Sequence, residues 1–292
     1  MDGPAQRTDI GESHEVLRPR RQCLPLVVAS PHSGSSYPAD FLARSRLDPL
    51  MLRRSEDSFV DEIFAAAPGL GVPLLRALFP RAYVDPNREP YELDPSMFDE
   101  PLPDYVNSSS PRVAAGLGTV ARVVANGAEI YKGKLTLDDA LRRIERCYRP
   151  YHDALAGLLA ETRAQFGACL LLDCHSMPSS AQNWGRDPRV PTMDIVLGDC
   201  HGSACAPEVT ECATEVLRAA GYRVGRNKPY SGGYVTRHYS RPREGLHCLQ
   251  IEINRRLYMD EARIERTAGL DRLAKRMPEL IRHLGQLDLQ GA

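Results

Sequence analysis

The sequence predicts an α/β fold in which a sheet lies between helical layers. Three observations lead there. Short apolar runs stop abruptly at turn-forming or polar residues, as buried strands do. Longer segments with helical periodicity alternate with those runs. The 292 residues, 42% of them apolar, are also enough for a sizeable core in one large domain or two modest ones.

Taken in order, residues 1–22 are polar and Arg-rich and read as a flexible N-terminal arm, with a single catalytic α/β domain following over 23–287. The predicted strands are residues 24–30, 82–85, 169–172, 194–197 and 247–253, each running into polar or turn residues. A helix is expected over 59–67, after Ser55-Glu-Asp-Ser58. Thr136, with Asp139 three residues on, opens another with a capping-box-like start; it is interrupted at Pro150 and resumes to about residue 165. Residues 207–220 form a helix stopped by Gly221, and 260–287 are mostly helical with a kink or break at Pro278. The short Asn107-Ser-Ser-Ser-Pro111 stretch is a loop, and no internal repeat is visible.

Charge narrows the function. Thirty-seven Lys and Arg stand against 38 Asp and Glu, a formal charge of −1, with no Lys/Arg-rich block of the kind nucleic-acid binders carry. No apolar run approaches the ~18–20 residues that span a bilayer, so no membrane partner is expected. The arm lacks the apolar segment of a secretory signal, which predicts a cytoplasmic protein. Eight scattered cysteines without a Cys-x-x-Cys pair argue against a disulfide framework.

The chemistry-bearing residues share a position. His32, Arg88, His175 and Glu252 each end or follow a different predicted strand, and ligands of open α/β sheets bind beyond the carboxyl ends of strands. Two histidines and one carboxylate make a catalytic zinc set with a position left for water. Asp57 and Glu56 are the two candidates for that carboxylate, and either is also a favourable acid at a helix start. Asp173, two residues before His175 on one strand face, is placed to orient that imidazole. Gln250, Glu252 and Asn254 alternate with apolar residues, so Glu252 is a buried carboxylate that requires a partner. General-base work on a metal-activated water meets that need, and pairing with Arg255 or Arg256 is the plainer alternative.

Arg88 and Arg237 have the chemistry to clamp a carboxylate or polarise a carbonyl, or to serve as structural ion pairs. Cys200, His201, Cys205 and Cys212 carry metal-compatible atoms without the spacing of a structural zinc site. Cys205 and Cys212, if on one helix, share a face as core residues do. A Cys174–His175 dyad is disfavoured, because adjacent strand residues point to opposite faces.

Several motifs together resemble the N-formylglutamate amidohydrolase family. They are Val27-Val-Ala-Ser-Pro-His-Ser-Gly34, Val84-Asp-Pro-Asn-Arg-Glu89, Leu172-Asp-Cys-His-Ser-Met177, Asp194-Ile-Val-Leu-Gly-Asp199, Gly232-Gly-Tyr-Val-Thr-Arg-His238 and Gln250-Ile-Glu-Ile-Asn-Arg255, in the expected order over about residues 24–285. The stretch 122–131 and Arg149-Pro-Tyr-His152 are similar as well. The resemblance implies a three-layer α/β/α sandwich with a central mixed sheet, of the phosphorylase/hydrolase-like, zinc-carboxypeptidase-like kind. It implies one Zn2+ per chain on His32, Asp57 and His175, with Glu252 catalytic and Asn87 and Arg88 holding substrate; the chemistry of the arginines adds Arg88 as a catalytic residue at the oxyanion and Arg237 as a substrate-carboxylate binder. The implied reaction removes formyl from N-formyl-L-glutamate, as in histidine breakdown. The expected partner is thus a small acidic N-acyl amino acid; the alternatives are a zinc amidase or carboxypeptidase-like hydrolase of another N-acyl amino acid or small peptide, and a non-catalytic binding protein on the same fold.

Overall fold

The computed structural model describes residues 11–124, 127–181 and 192–290. Seven strands form one mixed sheet: β1 (His14–Leu17), β2 (Leu26–Ser30), β3 (Leu74–Ala77), β4 (Cys169–Met177), β5 (Ile195–Gly198), β6 (Val224–Arg226) and β7 (Leu246–Asn254), in the spatial order β1-β3-β2-β4-β7-β5-β6. The central β3-β2-β4-β7 block is parallel, whereas β1 runs antiparallel to β3 and β5 antiparallel to β7.

The two faces of the sheet carry separate cores. On β2 and β4, Leu26, Val28, Leu170, Leu172 and Cys174 point to one face. Val27, Ala29, Cys169 and Leu171 point to the other. The first face is covered by the helices Pro207–Ala219 and Ala268–Leu284 and the helical turn Val60–Ile63. The second is covered by the helix Arg149–Phe166, through Tyr151, Leu155, Leu158 and Leu159. Period-two alternation thus delivers the three-layer α/β/α arrangement, and it explains why the central strands are apolar on both faces. Near the carboxyl ends of β4 and β7 the second face turns polar, with Asp173 and His175 on one strand and Gln250 and Glu252 on the next, His175 in register with Glu252. The chemistry begins where that apolar core stops.

Several elements depart from the sequence reading. The N-terminal stretch is not wholly an arm: His14–Leu17 closes the sheet edge against Leu74–Ala77, and Glu15 pairs with Arg76 at 2.6 Å. The first ten residues of the expected arm lie outside the described residues. Residues 82–85 form no strand, because they lie between Pro80 and Pro86 and turn back on the Pro80 carbonyl, which accepts from the Tyr83 and Val84 N–H groups. The strand at that place in the chain is β3, whose Arg76 interrupts the apolar pattern. The helix expected over 59–67 shrinks to the turn Val60–Ile63, with Phe59 in the left-handed region at φ 68°.

The helix Leu137–Arg143 starts as expected, with Thr136 Oγ1 accepting from Asp139 N–H at 3.2 Å. Before Pro150, which has no N–H to continue an α ladder, the chain takes a π turn over Ile144–Tyr148. The last helix begins only at Ala268, because Met259–Asp260 pair with Glu265–Arg266 as a small hairpin. It then continues through Pro278, held by buried Leu273, Met277, Leu280, Ile281 and Leu284.

Candidate metal centre and catalytic cavity

Three loops and two strands bring the site together. Pro31 ends β2 and places His32 in the following turn, whose carbonyl accepts the Asp57 N–H at 3.0 Å and so ties the two loops. In the loop after β3, Asp85 N–H donates to Thr119 O at 2.7 Å and Asp85 Oδ1 accepts from Asn87 N–H at 2.8 Å, the side-chain turn typical of Asp-Pro-Asn. Arg88 therefore sits on a braced loop, not at a strand end. His175 and Asp173 project from β4 itself, and Glu252 from β7.

His32, Asp57 and His175 are all buried, and one donor atom from each lies within 4.8 Å of the others. His32 Nδ1 is 3.2 Å and His175 Nδ1 3.0 Å from the same oxygen, Asp57 Oδ2. The opposite ring nitrogens are engaged by other carboxylates, His32 Nε2 with Asp85 Oδ1 at 2.7 Å and His175 Nε2 with Asp173 Oδ1 at 2.9 Å. For all four contacts to be hydrogen bonds, both imidazoles must be doubly protonated with ring centroids only 4.8 Å apart. A single cation replacing both Nδ1 protons removes that conflict, so the donor set fits a metal ion. The carboxylate–histidine pairs are the outer supports such ligands carry.

Charge is arranged to match. Burial pushes the Asp57 carboxyl up, but hydrogen bonds from His175 and His32 hold it well below the usual carboxylate range. Asp57 Oδ1 is fixed separately, by Ser176 Oγ at 2.9 Å and Arg255 Nη2 at 3.2 Å. Asp85, pushed up by burial, is held low by Arg81 and Arg88, and Arg81 Nη2 donates to Asp85 Oδ2 at 2.6 Å. Glu56 turns the other way, accepting from Tyr37 Oη at 2.7 Å, Ser58 Oγ at 2.8 Å and Arg53. Of the two acids the sequence offered, Asp57 is the one at the cluster.

The cluster lies in an open cavity of about 430 Å³, within the range of small-molecule sites. Asn87, Arg88, Arg237 and Glu252 line it, as do Arg81, Arg112, Gln250 and Arg255, to which sequence reasoning gave no role at the site beyond naming Arg255 as a partner for Glu252. Glu252 does not pair with Arg255 or Arg256: Arg255 is engaged by Ser176, Asp57 and backbone carbonyls, and Arg256 by Asp194. Instead Glu252 Oε1 accepts a hydrogen bond from Gln250 Nε2 at 2.9 Å. Burial pushes the Glu252 carboxyl up to about 8, with His175 opposing and Asp57 and Asp173 adding to the rise. Gly233 lets the chain pass Asn87 closely, since a Cβ there would meet the Asn87 amide at 2.3 Å.

The cysteine-rich loop stays apart. Cys200 and His201 occupy left-handed turn positions, and Cys205 precedes the helix that contains Cys212 rather than sharing it. Among the described residues these side chains form no metal-holding group, and all eight cysteines are free thiols. Cys174 packs into the core on the face opposite His175.

Fold and site together define an α/β protein with a candidate metal centre in a cavity at the carboxyl ends of its parallel strands. A family model described as N-formylglutamate amidohydrolase matches residues 24–259, and the chain belongs to that family. It is 30% identical over 251 residues to the N-formylglutamate deformylase of Pseudomonas aeruginosa, covering 85% of this chain and 86% of that protein. The enzyme of the same name from Pseudomonas putida is 28% identical over 250 residues, with the same coverage. The crystal structure of N-formylglutamate amidohydrolase from Ralstonia eutropha JMP134 superposes with a TM-score of 0.86 at 39% identity, covering 92% of this chain and 95% of that one.

No helix among the described residues is long and apolar enough to cross a membrane.

Proposed function

We propose that this chain is a zinc-dependent deformylase that hydrolyses N-formyl-L-glutamate to formate and L-glutamate, the formate-releasing step of histidine breakdown. One zinc ion per chain would be held by His32 Nδ1, His175 Nδ1 and Asp57 Oδ2. The observation that carries the reading is the meeting of two imidazole Nδ1 atoms on one Asp57 oxygen, with buried Glu252 lining the same cavity. The names of the two Pseudomonas relatives support the choice of substrate.

A bound zinc ion supplies Lewis acidity, which lowers the pKa of water towards ~7 and polarises an acyl oxygen. The protein's own groups do the rest. Glu252 takes a proton from the attacking water and returns it to the departing amine, work typically worth ~10²–10⁴ in rate. Arg81, fixed by Asp85, faces the carbonyl oxygen as negative charge develops there. Asn87 and Arg88, on the braced loop, orient the carboxylate nearer the scissile amide, and Arg237 adds positive charge at the mouth.

The test is formate release from N-formyl-L-glutamate by chelator-stripped protein, before and after zinc is restored. Formate and glutamate in equal amounts, only with zinc, is the expected result. A metal-replete sample that releases no formate removes the deformylase reading.

A further inference from the structure

Three arginines, Arg88, Arg112 and Arg237, line a side chamber of the cavity, and the reaction above uses Arg88 and Arg237. The third, Arg112, lies in the helical turn Pro111–Ala114, which Ser110 caps by accepting the Val113 N–H at 3.1 Å. The Arg112 carbonyl accepts Leu117 N–H at 2.8 Å, and the Leu117 carbonyl in turn accepts Arg88 Nε at 2.8 Å. This short relay fixes the Arg112 backbone beside Arg88 and brings its exposed side chain to the cavity wall.

The side chamber, of about 250 Å³, opens off the cavity there, sharing Asn87, Arg88, Arg112, Gly233 and Arg237 with it. Its two acids are already engaged: Glu89 Oε2 accepts from Asn107 Nδ2 at 2.8 Å, and Glu92 Oε2 from Glu89 N–H at 3.2 Å. Arg81 and Arg255 have carboxylate partners, but the Arg112 guanidinium makes no ion pair or hydrogen bond with another described residue. The chamber also has an excess of positive charge. Burial lowers the Arg88 pKa to about 10, and although Asp85 opposes this, Arg81 and Arg112 push it further down.

We propose that Arg112 is a specificity residue that, with Arg237, holds the side-chain carboxylate of the substrate's amino-acid half, restricting turnover to N-acyl derivatives of acidic amino acids. This rests on the hydrolase reading above and extends it. Asn87 and Arg88 take the inner carboxylate, and a second one, a few bonds further out, reaches the side chamber. A neutral amide in its place forfeits charge-assisted bonds, a loss of about 10–100-fold in kcat/KM.

The experiment compares N-formyl-L-glutamate with N-formyl-L-glutamine as substrates of the zinc-loaded wild type, Arg112→Gln and Arg112→Lys. It also titrates L-glutamate and L-glutamine into the same proteins by calorimetry. The expected result is a glutamate-to-glutamine ratio of kcat/KM at least tenfold lower in Arg112→Gln, with partial recovery in Arg112→Lys. Preferential binding of L-glutamate should be lost in parallel. An unchanged ratio together with unchanged glutamate affinity overturns the assignment. If the wild type turns over neither substrate, the deformylase reading fails and the titration alone decides on Arg112: wild type and Arg112→Gln that do not differ in preference for glutamate overturn it.

Discussion

Gln250 donates its side-chain N–H to Glu252 Oε1 at 2.9 Å, while its own Oε1 accepts the Gly233 N–H at 2.6 Å. Two residues apart on β7, the pair shares one face, so the amide holds one carboxylate oxygen and leaves the other for the cavity. Glu252→Gln is expected to keep its metal and lose ~10²–10⁴ of kcat. Gln250→Leu should lower kcat by about tenfold, because a hydrogen bond to the charged form is lost. It should also move the acid limb of the rate profile to higher pH, since the carboxylate loses stabilisation relative to the acid. Metal analysis with kcat–pH profiles checks both variants, and a profile in Gln250→Leu that matches wild type removes the positioning role.

The convergence of His32, Asp57 and His175 predicts that metal and stability are linked. Zinc at a hundredfold excess over Kd should stabilise the stripped protein by about 2.7 kcal/mol, seen as a rise in Tm of several degrees. Asp57→Asn should abolish most of that rise, since it removes the charge both imidazoles face. Asp173→Asn leaves the ligands in place but loosens the His175 ring, and should weaken zinc binding ~10–100-fold. Metal titration followed by thermal melts separates the two variants. An equal rise in Tm in Asp57→Asn and wild type would show that the ion binds elsewhere.

What the sequence made legible follows from how each residue signals itself. The apolar runs of β2, β4 and β7 identified the central strands because they are buried on both faces. His32, His175 and Glu252 stood out as polar residues at or near the ends of such runs. β1 was missed because an edge strand of half-buried residues leaves no apolar signature, and β3 because its buried Leu74, Leu75 and Ala77 make only a four-residue run broken by Arg76, which pairs with Glu15 and Asp61. The choice between Glu56 and Asp57 was not available from spacing, since it depends on the Phe59 backbone and on Tyr37, Ser58 and Arg53 drawing Glu56 away. Arg81 and Asp85 lie in a loop, and Arg112 in the short helical turn Pro111–Ala114, whose placement only tertiary contacts fix. The Asp-Pro-Asn turn was the one local cue to Asp85.

Arg81 offers a sharper separation of roles. Its guanidinium is bound to Asp85 and lines the cavity, where Asp57 and Glu252 also act on its charge. If it stabilises the developing oxyanion, Arg81→Gln should lose ~10²–10³ of kcat with KM changed only a few-fold. If it only braces Asp85, metal affinity falls through His32 and kcat at saturating zinc is preserved. Steady-state kinetics over a zinc titration distinguishes these, and full kcat at high zinc rejects the oxyanion role.

His152 links the fold's stability to the loop that carries Asn87 and Arg88. From the helix Arg149–Phe166 its Nε2–H donates to the Pro86 carbonyl at 2.9 Å, and Nδ1 accepts from Tyr239 Oη at 2.8 Å. Tyr148, in the preceding π turn, donates to the Arg88 carbonyl at 2.8 Å. Burial lowers the His152 pKa to about 4, against the opposing effect of the Pro86 carbonyl, so the ring is neutral in the fold. The unfolded chain titrates near 6.5, and between these values it binds more protons than the native state. Stability from this group is therefore complete above about pH 6.5 and falls as pH drops towards 4, by roughly 3 kcal/mol in all. Urea unfolding of wild type and His152→Asn at pH 7.5, 5.5 and 4.5 measures it. The variant should be less stable at pH 7.5 yet lose less on acidification, by up to about 1.4 kcal/mol per pH unit. Parallel curves would place the acid-sensitive group elsewhere, whereas convergence towards pH 4.5 identifies His152 as a proton-sensitive brace beneath the substrate loop.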